Sequence, residues 1–134
     1  MILVDAGPLV ALVHGDDARH HDCKEALRRI REPLATVLPV ISEALHLLDF
    51  SLEAQELLWQ ILEDAPVAFL PVDQADHHRI RELMREYRDL PMDFADAALV
   101  RVAEREGIRK VFTIDRRDFL VYRPSRLGRF TVLP

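Results

Sequence analysis

The stretch Pro91–Phe119, PMDFADAALVRVAEREGIRKVFTIDRRDF, decides the fold. It reads as a helix, a turn at Gly107, a short apolar strand over Val111–Ile114, and an acidic turn where that strand ends. Asp93, Asp96, Asp115 and Asp118 form two Asp-x-x-Asp pairs, one at each end of this unit. On a wheel turned by about 100° per residue, Asp93, Arg101, Glu104 and Arg105 share a polar arc. Ala95, Ala98, Leu99, Val102 and Ala103 fill the opposite arc, and Asp96 lies beside Leu99, Val100 and Ala103 on the shoulder of the buried face. A carboxylate in such a place must be paired, neutralised or bound to a metal. Helix capping is the competing role. Asp93 as N-cap with Asp96 at N3 resembles a capping box, and acids suit the positive end of a helix. For Asp93, capping and function explain the residue equally well, whereas the apolar neighbours of Asp96 favour a working role.

Working outward, the remaining chain alternates short apolar runs with helical patterns. Met1–Val4 is a buried strand ending in Asp5, with Pro8 suited to the first turn of a helix that continues over Leu9–Val13. Asp5 thus stands at the carboxyl end of the first strand, where capping is again the plain alternative. Cys23, Ala26, Leu27 and Ile30 give an amphipathic helix over about His20–Arg31, closed by Pro33. A second strand, Leu34–Leu38, leads through Pro39 into a helix over Val40–Phe50, with Val40, Ile41, Ala44, Leu45, Leu47 and Leu48 on its core arc. Glu43 sits on the border of that arc. Leu52–Glu63 is a further helix with Leu57, Leu58, Ile61 and Leu62 expected inside, and Trp59 is suited either to the core or to a dimer face. Val67–Val72 is the third strand. Asp73 caps a helix running to about Arg88 with Ile80, Leu83, Met84 and Tyr87 as its apolar positions, and Phe130–Leu133 is a last strand.

The 134 residues form one expected domain, residues 1–134, long enough to bury a sizeable core. The composition, 49% hydrophobic and 31% charged, is that of a soluble globular chain. No apolar run reaches the ~18 residues of a membrane span, and the opening residues lack the pattern of a secretory leader. The single cysteine, Cys23, excludes an internal disulfide. The chain is therefore expected to be cytoplasmic and free of membrane. The net charge of −5 argues against a non-specific DNA coat, not against a nucleic-acid substrate. Of the 18 basic residues only Lys24 and Lys110 are lysine, and arginine matches phosphate geometry in a bidentate way. The pairs His20–His21 and His77–His78 lack the spacing of a zinc site and read as surface or packing residues.

Short apolar strands alternating with helices imply a mostly parallel sheet covered on both faces. Such sheets bind ligands beyond the carboxyl ends of their strands, where the strand order reverses. Asp5 and Asp115 follow strands, Asp96 opens the helix before the fourth strand, and Glu43 lies in the first turns of the helix after the second. If the first and fourth strands are neighbours, these four acids converge. An all-oxygen set without cysteine or histidine suits Mg²⁺ or Mn²⁺. The reaction expected of it is metal-assisted hydrolysis of a phosphate ester.

Asp5 after a terminal strand, Glu43 in VISEAL, Asp96 in MDFADAALVRVAE, and Thr113-x-Asp115-x-x-Asp118-Phe119 together resemble the PIN domain, particularly toxins of the VapC type. The match runs in order over essentially the whole chain. The resemblance implies a three-layer α/β/α sandwich with a short central sheet and a Mg²⁺- or Mn²⁺-dependent endoribonuclease. It implies Asp5, Glu43, Asp96 and Asp115 as catalytic and metal-binding acids, with Asp93, Thr113 and Asp118 accessory and Thr113 orienting Asp115 or a water. It also implies a homodimer, an RNA substrate and a cognate antitoxin protein. Arg116 and Arg117, beside Asp115, are expected to touch substrate phosphates. One departure is the run Ala6-Gly7-Pro8, where the family often carries a hydroxyl residue. Three other readings compete. A haloacid-dehalogenase-type phosphatase needs a second acid where Gly7 stands, and a P-loop enzyme needs a glycine-rich phosphate loop that is absent. The third is a catalytically idle PIN-like module that binds through its dimer or a partner.

Overall fold

The computed structural model describes residues 1–134. Its elements run in the order β1 (Ile2–Val4), α1 (Ala6–Val13), α2 (His20–Arg29), β2 (Leu34–Thr36), α3 (Leu38–Leu47), α4 (Leu52–Asp64) and β3 (Val67–Phe69). A 3-10 turn, Gln74–Asp76, then leads to α5 (His77–Glu86), α6 (Phe94–Glu106), β4 (Lys110–Phe112), α7 (Arg116–Val121) and β5 (Thr131–Leu133). The strands form one parallel sheet in the order β3-β2-β1-β4-β5. The first three strands step outward one way, and the chain then returns across the sheet to place β4 on the other side of β1. Right-handed crossovers taken in opposite directions put helices on opposite faces, which gives the α/β/α sandwich.

The reversal of direction falls between β1 and β4, which pair Leu3 with Val111 and Val4 with Phe112. The central strands, only three residues long, are buried on both faces, as the runs Ile2-Leu3-Val4 and Val111-Phe112 show, while the edge strands β3 and β5 are partly exposed. Helix α6 has more buried residues than any other helix. Ala95 through Leu99, Val100, Val102 and Ala103 are all inside, and the small alanines let it lie close to its neighbours. Gly107 ends it with a φ of 70°, the left-handed position that glycine adopts without a Cβ clash.

The helix on the far side of α6 is fastened by charge. Asp76, 1% exposed, accepts from Arg101 Nε at 2.8 Å and from Arg105 Nη1 at 2.6 Å. Burial works to raise this carboxyl, but the Asp73 backbone N–H and the two guanidinium groups outweigh it and hold the pKa below the usual value. Arg79 donates from Nε and Nη2 to Glu104, whose Oε1 also takes the Ser125 N–H at 3.0 Å. These pairs tie α5, α6 and the segment after α7 into one unit.

Several sequence expectations differ in detail. Leu47, Leu57 and Met84, placed in the core by their wheels, are exposed, while their helices bury Val40, Ile41 and Ala44, Leu58 and Leu62, and Ile80 and Leu83. Trp59 is exposed at the surface of α4. The acidic turn after β4 continues as α7, a helix too short for periodicity to reveal. His20 Nδ1 is 2.6 Å from the Ala11 carbonyl and His77 Nδ1 is 2.6 Å from that of Gln74, so both serve local structure.

Candidate active site

Asp5 leaves the carboxyl end of β1 and becomes the N-cap of α1, its Oδ1 accepting the Ala6 N–H at 2.8 Å. Its Oδ2 accepts from the Thr113 hydroxyl, also at 2.8 Å. Thr113 follows β4, and its Oγ1 in turn accepts the Asp115 N–H at 3.0 Å. One buried hydroxyl therefore couples the ends of the two central strands. The turn after β1 is closed at the same point. A Cβ added to Gly7 would sit 3.3 Å from Ile114 Cβ, a tight contact that the Ile114 side chain would have to yield to.

Asp93 is the N-cap of α6, its Oδ1 accepting the Asp96 N–H at 2.9 Å. The reciprocal half of a capping box is not formed. The Asp96 carboxylate instead takes a hydrogen bond from the Tyr122 hydroxyl on Oδ2 at 2.8 Å. Asp96 is only 8% exposed, so its position follows from the buried shoulder of α6 rather than from capping.

These groups open onto one cavity of about 460 Å³, lined by the acids Asp5, Asp17, Glu43, Asp93, Asp96 and Asp115. No lysine, arginine or histidine lines it; the remaining wall is Ala6, Gly7, Val10, Leu47 and Ile114. Helix α3 brings Glu43 to the rim because α3 packs against both α1 and α6. Asp118, in the first turn of α7, stands beside this ring, and single oxygens of Asp96, Asp115 and Asp118 lie within 4.8 Å of one another. The sequence did not single out Asp17, which belongs to a loop with no periodic signal. Tyr122 was also passed over; only its place in the fold distinguishes it from the other tail residues.

Electrostatics follow from the crowding. Burial, and then the charges of Asp5 and Asp93, push the Asp96 carboxyl up to about 8. Burial pushes Asp5 up to about 6 against the lowering effect of the Thr113 hydroxyl. Glu43 is raised to about 7 by burial and by Asp93 beside it. Asp115 is raised by burial and by the charge of Asp118. Burial and the Asp96 carboxylate hold the Tyr122 phenol well above its usual range, so it stays a donor. Acids that resist ionisation together, facing a cavity with no cationic side chain, are the environment a bound cation relieves.

Arg116 is exposed and reaches the C-terminal strand. Its Nη1 donates to the Pro134 carbonyl at 2.6 Å and reaches that of Val132 at 3.4 Å, bracing β5. Arg117 is exposed beside Asp115.

A family model described as the PIN domain matches residues 2–123. The chain belongs to the PIN domain family. Among PIN-domain relatives, the ribonuclease VapC26 of Mycobacterium tuberculosis is 26% identical over 135 residues, covering 99% of this chain and 100% of that protein. The crystal structure of M. tuberculosis VapC20, a toxin that cleaves the sarcin–ricin loop, superposes with a TM-score of 0.76 at 22% identity. That match covers 83% of this chain and 87% of VapC20. A toxin–antitoxin complex from Klebsiella pneumoniae gives a TM-score of 0.69 at 16% identity over 100% of this chain and 97% of that one. The PIN fold is thus shared across almost the full chain, and the acid-lined cavity lies at its strand-order reversal.

Proposed function

We propose that this PIN domain is an endoribonuclease of the VapC toxin type that hydrolyses RNA phosphodiester bonds with a divalent cation, Mg²⁺ or Mn²⁺. One observation carries the reading: six carboxyl side chains face a single cavity that no cationic side chain enters. Oxygen-only donors at a hard, charge-poor site fit Mg²⁺ or Mn²⁺ rather than zinc. Asp5, Asp96 and Asp115 would hold the ion with Glu43 completing the ring, and Asp93 and Asp118 would be accessory. When bound, the cation supplies Lewis acidity toward a phosphoryl oxygen and lowers the pKa of a water.

The chain's own groups have defined tasks. Thr113 holds Asp5 and the Asp115 backbone in register. Asp93, as the α6 cap, fixes the start of the helix that carries Asp96. Arg117, exposed beside Asp115, would meet a phosphate flanking the scissile bond. RNA as the substrate is supported by the likeness to a named ribonuclease and to a sarcin–ricin-loop-cleaving toxin.

An antitoxin partner is supported by the shared fold with a toxin–antitoxin complex. Leu38, Phe50, Leu52 and Phe94, each more than half exposed, supply apolar surface for that partner and for a homodimer. The reading is tested by incubating total RNA with the protein, with and without Mn²⁺, alongside Asp96→Asn, and sequencing the new ends. Cleavage only with metal and intact Asp96 supports it. Metal-independent cleavage, or full activity of the variant, sinks it. No cleavage combined with no stabilisation by Mn²⁺ would favour the idle binding module.

A further inference from the structure

We propose that Tyr122 is a positioning residue for the acid cluster: its hydroxyl, donated to Asp96 Oδ2, holds that carboxylate so that the other oxygen serves the divalent cation. The inference rests on the metal-dependent nuclease reading above. Tyr122 supplies the one side-chain hydrogen bond made to the Asp96 carboxylate. An aspartate carboxylate turns about two torsions, the second of them broad, and a directed hydrogen bond to one oxygen narrows its orientation. Carboxylates that ligate metals are themselves held by hydrogen bonds of this kind, and losing them costs typically 10–100-fold in metal affinity. The donor is also neutral. An arginine or lysine in its place would hold Asp96 equally well but would oppose the cation by charge, and a phenol does not.

The surroundings of Tyr122 fix it from every side. Its ring is fully buried, edge-on to Tyr87 at 5.0 Å and to Phe119 at 5.1 Å between centroids. Its own N–H donates to the Asp118 carbonyl at 3.0 Å. The next residue donates its N–H to the Tyr87 hydroxyl at 2.9 Å, and the Arg123 guanidinium bonds the carbonyls of Leu120, Val121 and Tyr122. Two residues further on, the Ser125 N–H is held by Glu104, itself held by Arg79. A buried tyrosine needs some hydrogen-bond partner, so stability alone explains a bond. Stability alone would be met by any acceptor; here the acceptor is the buried acid that lines the cavity.

The experiment titrates Mn²⁺ calorimetrically into the whole protein as wild type, Tyr122→Phe, Tyr122→Met and Tyr87→Phe, with thermal unfolding of each recorded in EDTA. Tyr122→Phe keeps the ring and removes only the oxygen; Tyr122→Met lacks the donor on a different frame and serves if the first folds poorly. The expected result is Mn²⁺ affinity about 10–100-fold weaker in either Tyr122 variant and unchanged in Tyr87→Phe. Wild-type affinity in whichever Tyr122 variant folds overturns the proposal while leaving the nuclease reading intact. Equal weakening in Tyr87→Phe also overturns it, because loosened packing would then account for the loss. Failure of the wild type itself to bind Mn²⁺ overturns the nuclease reading, and this inference with it.

Discussion

Asp96→Asn should make the metal-free protein more stable, not less, and the gain should grow with pH. The folded state holds the Asp96 carboxyl at about 8 against an ordinary 3.8, so between those values it binds more protons than the unfolded chain. Stability therefore falls as pH rises through that window. Each factor of ten in proton affinity corresponds to about 1.4 kcal/mol, so at pH 7 the limit is ~4 kcal/mol. Water entering the open cavity screens most of this, which leaves a gain of ~1–2 kcal/mol for a neutral amide that keeps its carbonyl on the Tyr122 hydroxyl. With an unfolding entropy of ~0.28 kcal/mol/K for a chain of this length, the melting temperature should rise by ~4–7 °C near pH 7. The assay is thermal unfolding by circular dichroism in EDTA at pH 5, 7 and 8.5. The advantage should be small at pH 5 and largest at pH 8.5. Saturating Mn²⁺ should reverse the ranking, because only the wild type gains stability by mass action. A variant less stable than wild type in EDTA at pH 8.5, or a difference that ignores pH, would refute the claim that Asp96 is a buried acid strained by its neighbours.

Four further outcomes are expected. Mn²⁺ binding should tighten between pH 6 and pH 8 and release protons, since Asp5, Glu43 and Asp96 stand at about 6, 7 and 8 and must ionise to ligate; calorimetry in two buffers of different ionisation enthalpy reads the proton count, and zero release contradicts the site. Thr113→Val should cost about 1–3 kcal/mol in chemical denaturation, because it strips a buried donor from Asp5 and an acceptor from the Asp115 N–H. Asp76→Ala should cost about 3 kcal/mol by leaving Arg101 and Arg105 unpaired, yet leave Mn²⁺ affinity of the folded protein unchanged; weakened metal binding would mean that the charge network reaches the site. Arg117→Ala should lower the slope of RNA affinity against salt by about one counterion, while Arg116→Ala, which loses contacts to β5, should leave that slope alone.

The sequence by itself determined most of the elements, α7 excepted, and marked Asp5, Glu43, Asp96 and Asp115 as candidate ligands. Continuous apolar runs and period-3.6 hydrophobicity are local properties, so the strand–helix alternation and the buried shoulder under Asp96 were legible without coordinates. Aspartate at the end of an apolar run is a local signal too, and it marked Asp5 and Asp115. Convergence was conditional on β1 and β4 being neighbours, a pairing between residues more than a hundred positions apart that no local pattern encodes. The tertiary structure decided it by reversing the strand order between them. Only the fold, likewise, set the Asp96 carboxylate against Tyr122 rather than the Asp93 N–H, drew Asp17 into the cavity, and sent Arg116 toward the C-terminal strand. A side chain's hydrogen-bond partner depends on which distant segment is packed against it, and that is settled by burial of the whole core rather than by the neighbours in the chain.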